Sequence, residues 1–181
     1  MVSTLRKVAK FIHWLNERVG RAASWLTTLL MLLVCFDVVV RYLFSETQAW
    51  IMELEWHLFG LIFLLGAGYA FRHDRHVRVD LFYAKFSQRD QAWVNLIGGV
   101  LFLLPWTLVL VFVSFEYANI SFRIGEGSPD PGGLPARYVI KYAITVGLSL
   151  LMLQGLASII DSWLALKGEP SSVDGPVNEN Q

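Results

Sequence analysis

Four stretches of this chain are long and apolar enough to cross a bilayer, and no other feature constrains its fold as much. They cover residues 22–44, 50–71, 92–115 and 138–160. A spanning helix needs roughly 20 apolar residues, because the hydrocarbon core is about 30 Å thick and each residue rises about 1.5 Å. Lipid offers the backbone no hydrogen-bond partners, so each stretch must satisfy its own amides as a helix. The composition agrees: 55% of the 181 residues are hydrophobic, only 17% are charged, and the mean hydropathy is +0.48. The expected fold class is an all-α integral membrane protein with four transmembrane helices, forming one membrane domain over 1–166. The polar remainder, 167–181, is expected to be a flexible tail.

A net charge of +0 argues against a nucleic-acid partner. The lone cysteine, Cys35, excludes an intrachain disulfide. The N-terminus lacks a short apolar core followed by a small-residue cleavage site, so the first span is expected to serve as an uncleaved anchor.

Ahead of that span, over 4–20, Leu5, Val8, Ile12, Leu15 and Val19 recur in steps of three and four. Such spacing makes one apolar helical stripe. Arg6, Lys7, Lys10 and Arg18 surround it, which predicts an amphipathic helix lying on the membrane surface. A cytoplasmic extension of the first span is the alternative. Residues 79–90 mix Leu81, Phe82 and Phe86 with Lys85, Arg89 and Asp90, in the manner of a second, shorter interfacial helix. The segment 116–137 carries glycines and prolines crowded between Gly125 and Pro135 and is expected to be a loop.

Basic residues fix the orientation. Arg6, Lys7, Lys10, Arg18 and Arg21 precede the first span, and Arg72, Arg75, Arg78, Lys85 and Arg89 lie between the second and third. The segment 45–49 has none, and the third connection has Arg123 and Arg137. Both termini and the middle loop should therefore be cytoplasmic, with the Gly/Pro-rich loop outside.

Several polar residues are candidates for function. Asp37 and Arg41 stand one helical turn apart in the outer part of the first span, in the favourable order for an intrahelical pair. They read as an interfacial anchor or as a contact to a partner subunit. Trp50, Glu53, Glu55 and His57 open the second span, where acidic groups complement the helix dipole or form an exterior docking surface. Its other end runs into Arg72, His73, Asp74, Arg75, His76, Arg78 and Asp80. The two histidines suggest a metal, but the arginines among them would repel a cation; lipid phosphates, a helix cap or a partner fit better. Arg137 and Lys141 are expected at the exterior end of the fourth span, and Gln154 within it can bond across a helix interface. No nucleophile with a base and no phosphate-binding glycine loop points to an enzyme. A four-helix haem or quinone anchor is the rival reading, but it needs facing axial ligands, and only His57 falls within a span.

The order of motifs carries a resemblance. Arg41-Tyr42-x-Phe44 closes the first span and Trp50-x-x-Glu53 opens the second. Gly66-Ala67-Gly68-Tyr69-Ala70-Phe71-Arg72 leads to His76-Val77-Arg78-Val79-Asp80. Gly133-Leu134-Pro135-Ala136-Arg137-Tyr138 follows, with Lys141 and then Leu153-Gln154-Gly155. Over roughly residues 20 to 165 the chain resembles the DctQ-like small membrane subunit of tripartite ATP-independent periplasmic (TRAP) transporters. The resemblance implies three things. A large membrane subunit would hold the substrate and sodium sites. A soluble periplasmic protein would deliver the substrate, usually an organic acid. The small subunit would brace the static scaffold in a bacterial inner membrane, with phospholipid around it and no cofactor of its own.

Overall fold

A computed structural model describes residues 2–44, 48–73, 83 and 85–169. Four helices make up the fold: α1 (Val2–Phe44), α2 (Ala49–Arg72), α3 (Gln88–Arg123) and α4 (Tyr138–Leu166). All four are long and apolar enough to cross a membrane, and no strand occurs among the described residues. The chain is an all-α membrane protein. His76, Arg78, Asp80 and the tail beyond residue 169 lie outside the described residues, as do 79–82 and 84 of the second expected interfacial helix. Residues 88–90 of that segment instead form the first turn of α3, where the Ser87 hydroxyl accepts from the Asp90 amide at 3.2 Å.

The helix α4 packs against the other three, α1 also packs on α2, and α3 joins the bundle chiefly through α4. Lipid does not drive apolar helices together, so close packing must. Two glycines of α4 permit it. A Cβ on Gly147 would fall 2.7 Å from the Leu64 carbonyl oxygen of α2, and one on Gly155 would fall 2.6 Å from Leu103 of α3.

Leu103 sits in a π-helical turn, Gly99–Leu103, where the Leu104 amide reaches back to the Gly99 carbonyl. The cause lies two residues further on. Pro105 has no N–H to give and its ring crowds the preceding turn, so the helix widens there instead of breaking. Thr107 returns a hydrogen bond to the Leu103 carbonyl at 2.7 Å.

Three expectations need correction. The helix α1 runs unbroken from Val2 to Phe44, so the structure has no turn separating a surface helix at 4–20 from a span at 22–44. Nothing near Gly20-Arg21-Ala22 terminates a helix, and the first half of α1 buries Ala9, Ile12, His13, Asn16 and Gly20 within the bundle. That face is rotated from the apolar stripe, leaving Val8 about half exposed. The segment 116–123 is not loop but the last turns of α3, because the turn formers begin only at Gly125. The interior, expected to be poor in polar groups, holds buried His13, Asn16, Glu53, Lys141 and Gln154.

Candidate functional site

Polar side chains tie the helices together at both ends of the bundle. At the end shared by both chain termini, His13 of α1 lies between two residues of α4. Its Nε2 donates to Asp161 Oδ2 at 2.8 Å, and Gln154 Nε2 donates to its Nδ1 at 3.0 Å. The carboxylate only accepts, so it fixes the proton on Nε2 and leaves Nδ1 to accept. Arg72, the last residue of α2, donates through Nη1 to the His13 carbonyl at 2.6 Å and to Glu17 Oε2 at 3.0 Å. His73 meets the same Glu17 oxygen at 2.9 Å, and Arg21 holds its other oxygen at 2.8 Å. Three helices thus converge on one turn and a half of α1. Beside them opens a cleft of about 550 Å³, reached by His13, Arg72, Gln91, Gln154, Ser158 and Asp161.

At the other end the Gly/Pro-rich loop folds back onto α2 and α4. Glu53 is the clamp: its carboxylate accepts from the Ser128 hydroxyl and from the Leu134 amide. The loop can make the necessary turns because Gly125 and Gly132 take positive φ, 61° and 77°. Lys141 is buried; it pairs with Glu126 and stands 4.1 Å from the Tyr117 ring centroid. The Lys141 ammonium holds the Glu126 carboxyl below its ordinary value. Tyr142 donates to Asn119 at 2.6 Å and Thr145 to Ser114 at 3.0 Å, lacing α4 to α3. The Arg137 guanidinium lies 5.8 Å from the Trp56 ring centroid. It lines, with Glu53, Glu55, Trp56, Leu30 and Val34, a second and more open cleft.

The remaining candidates are local. Asp37 is buried and pairs with Arg41, whose side chain is half exposed, while Asp37 Oδ1 has no partner. Trp50 Nε1 donates to Gln48 at 3.1 Å across the start of α2. Glu55 Oε1 is buried without a partner. Beyond Ala23, Asp37 is the one buried residue of α1, so Trp25, Leu29, Leu32, Phe36 and Val39 are exposed. A second uncovered face runs along α3 through Phe102, Trp106, Val109 and Phe112.

The structure therefore brings Arg72 and Gln154 to the His13 knot, and Glu53, Arg137 and Lys141 to the loop end. His13, Glu17, Asp161 and Glu126 complete these ties and were not among the sequence candidates. A buried histidine facing an acid of another helix was their one available signal. Both ring nitrogens of His13 are engaged, and His57, stacked on Trp56 at 3.9 Å, stands at the opposite end of the bundle. Among the described residues no group of three or more His, Cys, Asp or Glu side chains could hold a metal ion. What this arrangement provides is a rigid brace with wide apolar flanks.

Comparison with known proteins agrees. The family described as tripartite ATP-independent periplasmic transporters, DctQ component, matches residues 30–165. A protein of Haemophilus influenzae named as a TRAP transporter small permease protein is 26% identical over 151 residues, 82% of this chain and 91% of that relative.

Proposed function

Because the chain belongs to the DctQ component family of tripartite ATP-independent periplasmic transporters, we propose that it is the scaffold subunit that braces a separate, large permease subunit. The observation that carries this reading is the contrast between its interior and its flanks. Polar ties lock both ends of the bundle, while α1 beyond Ala23 and one face of α3 stay uncovered. Flanks of that size suit a neighbour in the membrane more than a pore through this chain.

In this reading the subunit resides in a bacterial cytoplasmic membrane with both termini inside. The basic residues flanking the first two spans support that orientation. The uptake it serves is sodium-coupled and carries an organic acid, with sodium and substrate held by the large subunit. The loop after α3, clamped by Glu53, faces the periplasmic substrate-binding protein. Arg137 and the exposed loop residues would meet that protein; Lys141 would instead steady the loop from beneath through Glu126.

The test is uptake by cells that hold the large subunit and the binding protein, with and without this chain. Transport of a labelled organic acid is expected to vanish without it and to require external sodium when it is present. Undiminished uptake in its absence would refute the bracing role.

A further inference from the structure

The His13 cleft has a chemistry that bracing does not use. Gln154 lines it and is 1% exposed, yet its Oε1 has no hydrogen-bond partner. The orphan follows from the knot. Asp161 fixes the proton on His13 Nε2, Nδ1 must then accept from the Gln154 amide nitrogen, and the amide oxygen is left over. A buried acceptor without a donor is unfavourable, and it selects a ligand that brings an N–H or O–H. On the other side of the same histidine stands Arg72. Its printed bonds use only Nη1, to Glu17 and the His13 carbonyl, so the rest of the guanidinium fork can still receive an anion. Away from these groups the cleft wall turns apolar at Phe71, Val94, Gly98 and Leu103. Water would find nothing to bond there. The site thus offers an acceptor and a cationic fork on two sides of one residue, continued by an oily wall.

We propose that this cleft holds one phospholipid whose headgroup carries a primary ammonium. The phosphate sits on the Arg72 fork, the ammonium donates to Gln154 Oε1, and an acyl chain follows the Val94–Leu103 wall. The lipid would close the gap between α3 and the α1–α2 pair, which otherwise meet mainly through α4. This site is independent of the transport reading and can be tested on the chain alone.

The experiment is native mass spectrometry of the full-length chain in detergent. It is supplied with equal amounts of phosphatidylethanolamine, phosphatidylcholine and phosphatidylglycerol of identical acyl chains. One phosphatidylethanolamine is expected to be retained, by about tenfold over phosphatidylcholine, the preference one charge-assisted hydrogen bond sustains. Phosphatidylcholine has the same phosphate but no N–H. The Gln154→Leu variant is expected to bring the two to parity, and Gln154→Glu, which keeps an acceptor, to preserve the preference. Should Gln154→Leu fail to fold, Ser158→Phe, which fills the cleft from the rim, is expected to abolish retention. Equal retention of all three lipids would mean an adventitious lipid only and would overturn the proposal. So would preference for phosphatidylglycerol, or an unchanged preference in Gln154→Leu.

Discussion

Gly147→Ala tests whether close approach of α2 and α4 holds the bundle. The added Cβ would lie 2.7 Å from the Leu64 carbonyl oxygen, 2.8 Å from its Cβ and 2.9 Å from its carbonyl carbon. Two of these atoms are backbone, so no side-chain rotation relieves the overlap. Ordinary contact lies at about 3.5–4.0 Å, so the helices must part by roughly 1 Å. Overpacking of this kind costs about 1–3 kcal/mol. Against it stands the better helix propensity of alanine, about 0.8–1.0 kcal/mol. The net expectation is a loss of roughly 0–2 kcal/mol. The control is Gly66→Ala in α2, where a new Cβ meets nothing within 4 Å. There only the propensity gain remains, so the two variants should differ by about 1–3 kcal/mol, with Gly66→Ala the more stable. The assay is reversible unfolding by sodium dodecyl sulfate against a mild detergent, followed by far-ultraviolet circular dichroism. Equal midpoints for the two variants would refute the argument, because propensity alone treats both glycines alike.

Two further outcomes follow from the ties. The folded pKa of Glu126 lies below its unfolded value, chiefly through Lys141, so the pair's stabilisation is present above the ordinary carboxylate range and is lost as pH falls through the folded value. Glu126→Gln should flatten that acid limb in pH-resolved thermal melts, and an unchanged limb would rule out the pair as its source. Asp161→Ala leaves the buried His13 N–H without its acceptor and should destabilise by about 1–3 kcal/mol. A double-mutant cycle with His13→Phe and Asp161→Leu should return a coupling of about 0.5 kcal/mol or more; additivity would show the 2.8 Å bond to be energetically idle.

How much of this was legible beforehand depends on the range over which each signal acts. The spans were legible because a bilayer reads hydropathy locally, and twenty residues settle the matter whatever lies elsewhere in the chain. The Gly/Pro-rich loop was legible for the same reason, though not its start, since nothing in 116–123 opposes a helix. The N-terminal segment was misread because a stripe of Leu and Val with lysines around it fits a membrane surface as well as a protein neighbour. What decides between them is His13 meeting Asp161, 148 residues away, and no periodicity within α1 encodes that. Lys141 failed in the same way. A lysine at a helix end reads as solvent-facing until a loop turning at Gly125 and Gly132 brings Glu126 over it. The orphaned Gln154 oxygen is the far end of this sequence of dependencies. It follows from the proton position on His13, which follows from Asp161, which lies near His13 only because α4 packs against α1. A lipid that answers that oxygen would be specified by three residues from two helices, none of which marks a binding site alone.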